Sequence, residues 1–159
     1  MCPSSFLRFM NYFYRIILAG LIVFGLAGCS GDKARLADGS EFDFSSLKGN
    51  WMVINYWAEW CAPCRDEIPE LNQLHLEGLA SGEVKVFGVN FDGLDEIALS
   101  AAIERMDIEF PVFVEDPRKR WIETEFQGLP ATLIIDPENT LHRLLIGAQT
   151  REEIWHQIK

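Results

Sequence analysis

A run of apolar and aromatic side chains, Trp51–Trp57 (WMVINYW), leads directly into Ala58-Glu59-Trp60-Cys61-Ala62-Pro63-Cys64. A run that is apolar at nearly every position, rather than at every second one, reads as a central strand covered on both faces. Such a strand requires neighbours and two covering layers, which means a full α/β domain. The chain can supply one, with 159 residues of which 48% are hydrophobic, and a core of that size needs no disulfide staples. The formal net charge of −10 leaves no positive excess to neutralise phosphates, so nucleic acid is not expected as a partner.

The rest of the chain supplies the neighbours. An Asp38-Gly39 turn between short alternating runs predicts an N-terminal hairpin, followed by a turn over 47–50. Ala62–Ala80 carries Ile68, Leu71, Leu74 and Leu79 at helical spacing. A strand over 84–91, a helix over 94–106, a short strand over 110–114 and a helical segment over 118–126 follow. Ala131–Asp136 and Leu141–Ile146 form a late hairpin around the Pro137-Glu138-Asn139 turn. Thr150 with Glu153 makes a capping box for a closing helix. This order calls for a central mixed sheet with helices on both faces.

In that frame the two thiols straddle a helix N-terminus. At i, i+3 they lie on one turn and can close a disulfide. Cys61 comes first, where unpaired backbone N–H groups and the helix dipole favour a thiolate, so it is expected to be the exposed attacking sulfur. Cys64, one turn in, is expected to be more buried and to resolve the mixed disulfide. Pro63 lacks an N–H and suits the first turn.

The N-terminal segment has a different composition. None of the 24 acidic residues precedes Asp32, whereas Arg8 and Arg15 flank an aromatic stretch ahead of Ile16–Ala27 (IILAGLIVFGLA). An uncharged run of that length fits a signal-peptide apolar region, where a spanning helix needs about 20 residues. A short retained anchor is the alternative. Leu26-Ala27-Gly28-Cys29 resembles the bacterial lipobox, which implies diacylglyceryl attachment at Cys29, cleavage before it and loss of Cys2. The expected organisation is a signal over 1–28, a lipidated tether over 29–35 and one domain over 36–159. Ser30 after the cysteine points weakly to the outer membrane. Acyl chains at about 0.8 kcal/mol per buried methylene would hold the protein on its membrane.

Trp-Cys-x-Pro-Cys after a buried strand, the Arg65-Asp66-Glu67-Ile68-Pro69 continuation and Gly128-Leu129-Pro130-Ala131-Thr132 opening a later strand together resemble the thioredoxin-like superfamily. Within it the likeness is to the extracytoplasmic TlpA- or ResA-like thiol-disulfide reductases. The resemblance covers Leu36–Lys159 and implies the thioredoxin-like fold. It implies that Pro130 is cis and faces the disulfide and that Leu129 pairs with a bound substrate strand. Read without it, the Leu129–Pro130 bond would be trans. Thioredoxins of the cytoplasm carry a buried Asp where this chain has Asn55, to which no catalytic role is given. The reductase group places a Glu three residues after the second cysteine, and Glu67 stands there. On spacing alone Glu67 reads as a solvated residue of an acidic helix; the resemblance makes it the proton acceptor for Cys64.

The resemblance further implies protein disulfide substrates, such as apocytochrome c cysteines or other exported proteins, and a membrane electron donor of the DsbD/CcdA type. It implies a periplasm-facing location and a monomer without cofactor. A disulfide-forming oxidase would use the same cysteine pair. A metal-binding chaperone is a weaker alternative, because two thiolates without a His at ligand spacing fall short of a closed site. Trp57 is read as packing. Trp60, beside the attacking thiol, would shape the contact surface and so bind substrate. Glu59 is read as a surface charge, Arg118-Lys119-Arg120 as a solvated helix start, and His75, His142 and His156 as structural or exposed.

Overall fold

The structure, a computed structural model, describes residues 32–47, 49–124 and 126–158. The signal segment, Cys2 and the Cys29 lipidation position lie outside the described residues. The chain opens on a hairpin of β1 (Lys33–Arg35) and β2 (Glu41–Asp43), paired antiparallel. Its turn is closed by Asp38, whose Oδ1 accepts from the Ser40 N–H at 2.9 Å. The hairpin was expected, but it begins at Lys33, ahead of the expected domain start at Leu36, and so takes up part of the expected tether.

The central sheet comprises β3 (Trp51–Trp57), β4 (Val84–Asn90), β5 (Val112–Phe113), β6 (Ala131–Ile135) and β7 (Leu141–Ile146). Their spatial order is β5-β4-β3-β6-β7, with β3, β4 and β5 parallel and β6 and β7 antiparallel to their neighbours. The run WMVINYW is thus the middle strand, which explains why six of its seven residues are buried. Helix α1 (Ala62–Ser81) joins β3 to β4, α2 (Glu96–Arg105) joins β4 to β5, and α3 (Arg151–Ile158) closes the chain. The capping box forms: Glu153 accepts from the Thr150 N–H at 2.8 Å and donates its own N–H to Thr150 Oγ1 at 3.2 Å.

The helices are divided unequally between the two faces, with the α-helices on one and the 3-10 helix Phe44–Leu47 on the other. Val53 and Trp57 of β3 share a buried cluster with Ile68, Leu71 and Leu74 of α1, Leu99 and Ala102 of α2, and Ile154 and Ile158 of α3. All three α-helices therefore lie on one face. The reason is topological: two right-handed crossovers stepping outward in the same direction, β3 to β4 to β5, put both connecting helices on the same side. Met52, Ile54 and Tyr56 face the other way, into a cluster with Leu36, Phe44, Leu47 and Phe113. The hairpin and the 3-10 helix after it close that face with aromatic rings, Phe42 against Phe87 at 4.5 Å and Phe44 against Phe113 at 5.7 Å between centroids.

Two further expectations change. The segment 118–126 is only a 3-10 turn at Arg118–Arg120 followed by irregular chain. Its apolar residues are drawn to separate partners, Phe126 to Tyr56 at 4.4 Å and Trp121 to Phe44 at 5.8 Å, with the Trp121 indole N–H donating to Asn139. Trp, Ile, Thr and Phe are weak helix formers, so local propensity does not oppose that arrangement. In α1, Leu79 is 70% exposed and Gly78 is the buried residue of that turn. A Cβ on Gly78 would lie 2.2 Å from the Val84 carbonyl oxygen, so a bare backbone is what lets the helix end close against β4.

Candidate active site

The cysteines sit where β3 hands over to α1. Cys61 is the N-cap of the helix in extended conformation, and its Sγ accepts from the Cys64 N–H at 3.3 Å. Pro63 occupies the first turn, where its missing donor costs nothing. Cys61 and Cys64 form a disulfide with their Cα atoms 5.3 Å apart. Cys64 has no exposed surface and Cys61 keeps 4%. The expected order is kept, but Cys61 is far less open than expected. What stands exposed around it are Trp60, Ala62 and Pro63. Once the disulfide is reduced, the Cys64 N–H and the positive helix end favour Cys61 as a thiolate.

Trp60 is 67% exposed, yet it is held: its indole N–H donates to the Asp92 carboxylate at 3.1 and 3.2 Å. Asp92 lies just past β4 and is itself fixed by its backbone N–H on Asn90 Oδ1 at 3.0 Å. Trp57, in contrast, is fully buried packing. Glu59 is a paired surface charge, meeting the Arg105 guanidinium at 2.7 and 2.9 Å.

The Leu129–Pro130 peptide bond is cis. Pro130 is buried and precedes β6, whose register pairs Ala131 with Tyr56. This brings Pro130 to the end of β3 that carries the cysteines. Leu129 is half-buried and packs against both core clusters.

Glu67 is 1% exposed, which overturns the solvated reading of its spacing. Facing the sheet on the same side of α1 as Cys64, it accepts from Asn55 Nδ2 at 3.0 Å and from the Gln149 N–H at 3.1 Å. Asn55 Nδ2 also donates to Thr132 Oγ1 at 3.1 Å, and the Thr132 hydroxyl bonds Glu67 in turn. Burial pushes the Glu67 carboxyl up to about 7, against the pull of the hydrogen bonds from Gln149, Asn55 and Thr132. A carboxylate poised near neutrality one turn from a thiol is a suitable proton acceptor. Asn55, Thr132, Gln149 and Asp92 were not selected from the sequence. The one signal available was Asn55, an amide inside an otherwise apolar strand.

His75 is half-buried away from the cysteines, His142 stands edge-on to Trp51 at 5.1 Å, and His156 is exposed. Among the described residues, no cluster of three or more His, Cys, Asp or Glu is placed to hold a metal ion, and no helix is long and apolar enough to cross a membrane. Arg118–Arg120, expected as a solvated run, is paired: Arg118 with Asp116, and Arg120 with Asp32 while stacked over the Phe44 ring at 4.1 Å.

Residues 31–144 match the family described as AhpC/TSA. The chain belongs to the AhpC/TSA family. Among its family relatives, the thiol-disulfide oxidoreductase ResA of Bacillus thuringiensis (strain Al Hakam) is 28% identical over 159 residues, covering 91% of this chain and 90% of that protein. The Bacillus cereus ResA is 29% identical over 117 residues, covering 74% of this chain and 66% of that protein. The exposed lipoprotein thioredoxin of Streptococcus pneumoniae superposes with a TM-score of 0.67 at 21% identity, over 80% of this chain and 96% of that one. With its thioredoxin-like fold, this family member is a thiol-disulfide oxidoreductase, and it carries a closed Cys61–Cys64 pair.

Proposed function

We propose that this enzyme is a membrane-tethered reductase of disulfides in exported proteins. In the reaction the Cys61 thiolate attacks a substrate disulfide, forming a mixed disulfide and releasing one substrate thiolate. Cys64 gives its proton to Glu67, and the Cys64 thiolate attacks the Cys61 sulfur. The Cys61–Cys64 disulfide closes, the second substrate thiolate leaves, and two electrons have passed to the substrate. A membrane donor of the DsbD/CcdA type restores the dithiol, and apocytochrome c cysteines are a fitting substrate class. Trp60 and Leu129-Pro130 form the rim on which the substrate strand lies. The observation that carries this reading is Glu67: a buried carboxyl near neutrality on the resolving cysteine's side serves the step that releases reduced product.

The tether rests on the Leu26-Ala27-Gly28-Cys29 sequence. Cleavage before a lipidated Cys29 would leave only Ser30-Gly31-Asp32 ahead of β1, a reach of roughly 10 Å at ~3.3 Å per residue. The domain would then work close to a periplasm-facing membrane, with Ser30 favouring the outer one. Cys29→Ser should move the protein from the membrane to the soluble fraction.

The reduction potential tests the direction. A value near −270 mV supports reduction, and one near −120 mV would make the same pair an oxidant.

A further inference from the structure

Asn55 lies in the middle of β3, opposite Thr132 of β6, on the sheet face that packs α1. One end of its amide does all the bonding: Nδ2 donates both to Glu67 Oε2 and to Thr132 Oγ1. The other end, Oδ1, is buried and meets no donor among the described residues. A buried carbonyl oxygen left unpaired is costly and is seldom without a reason.

The reason lies in what the two partners can become. An ionised Glu67 only accepts, so its Oε2 suits Nδ2; once that oxygen carries the proton it donates, and it suits an acceptor, while Oε1 keeps the Gln149 N–H. Thr132 can likewise accept or donate, since its hydroxyl rotates. When Glu67 takes a proton on Oε2, the oxygen that faces Asn55, the end of the amide that suits both partners changes from Nδ2 to Oδ1. Nothing holds the opposite end, so a half-turn of the amide breaks no bond there.

We propose that the Asn55 amide turns over with the protonation of Glu67, offering Nδ2 to the carboxylate and Oδ1 to the carboxylic acid, and so acts as the positioning residue for proton transfer from Cys64. This rests on Glu67 being the acceptor of that proton. The proton moves from Cys64 Sγ to a Glu67 oxygen that the amide satisfies both before and after the transfer. The groups facing Glu67 are uncharged: Asn55 from β3, Thr132 from β6 and the Gln149 amide ahead of α3, with Cys64 one turn earlier on α1. Glu70, the next carboxylate along that helix, is turned to the Arg151 N–H at 3.1 Å.

The test uses the oxidised wild-type protein and nuclear magnetic resonance of the Asn55 side chain against pH. The Asn55 Cγ signal should move downfield as Oδ1 gains a bond, with a midpoint near pH 7, coincident with the Glu67 carboxyl and absent in Glu67→Gln. In stopped-flow closure of a mixed disulfide, Asn55→Leu should slow the Cys64 step about ten-fold, equivalent to one pKa unit, and leave the Cys61 attack within about two-fold. An Asn55 signal that does not follow Glu67 overturns the proposal, whatever becomes of the Leu variant. If Glu67→Gln closes as fast as wild type, it is the proton-acceptor reading beneath it that fails.

Discussion

The two cysteines are one helical turn apart and face opposite environments. Beside Cys61 stand the exposed Trp60, Ala62 and Pro63, groups that another chain can touch. Inward, Cys64 shares its side of α1 with Glu67, which is bonded to Asn55 and to the Gln149 N–H, while Asn55 is bonded to Thr132; Glu67, Asn55 and Thr132 are all closed to solvent or nearly so. The outer half has contact surface and little proton chemistry of its own. The inner half has a buried carboxyl raised towards neutrality and no surface. A dithiol that must both select a partner and release it needs both halves, and the helix N-terminus supplies them by placing one cysteine beside each.

Substitutions on the inner side should have the larger effects. Glu67→Gln removes the acceptor and is expected to slow mixed-disulfide resolution about a hundred-fold at pH 7, read by stopped flow, with Cys61 attack unchanged. An equal loss in both steps would erase the contrast between the two halves. The same residue governs stability. Folding raises the Glu67 carboxyl from 4.5 to about 7, so the folded state holds the extra proton between those values and loses stability as pH climbs through 7. The ionised form costs ~3 kcal/mol above that range and nothing below the unfolded value. Denaturant titrations should show Glu67→Gln gaining on wild type from pH 5 to 8. His75, lowered by its own burial, acts in the opposite sense below pH 6.5 and cancels in the difference between the two proteins.

Outer-side changes should affect binding rather than the fold. Trp60→Ala is expected to raise KM for a protein disulfide several-fold and to shift stability by no more than about 0.5 kcal/mol, checked by steady-state kinetics beside thermal unfolding. Asp92→Ala frees the indole without removing it and should give a smaller rise in KM. A larger loss in Asp92→Ala than in Trp60→Ala would mean that the carboxylate itself meets the substrate.

Much of this was legible in the sequence because it is local. WMVINYW, the Cys-x-x-Cys spacing, the Asp38-Gly39 turn and the Thr150–Glu153 box each depend on residues a few positions apart, and each stands where it was expected. The inner network was not legible, since Asn55, Thr132 and Gln149 reach Glu67 from three separate parts of the chain. The same distance hid the Asp92 support of Trp60, which crosses from the end of β4 to the turn ahead of α1. Segment 118–126 had helical spacing, but Phe126 and Trp121 found aromatic partners on β3 and beside the hairpin. The placement of α1 and α2 on one face followed from strand order, which no local pattern encodes. Leu79 was misread because Gly78, not a larger side chain, is what the helix needs against Val84.

The central claim, that the outer sulfur attacks and the inner one releases, is tested most directly by trapping. Cys64→Ser and Cys61→Ser proteins would be expressed in a cell that holds the natural partners and resolved without reductant. Cys64→Ser should accumulate partners as mixed disulfides through Cys61, and Cys61→Ser should accumulate none. Equal trapping by both variants, or trapping by Cys61→Ser alone, would contradict the division of labour described for the two cysteines.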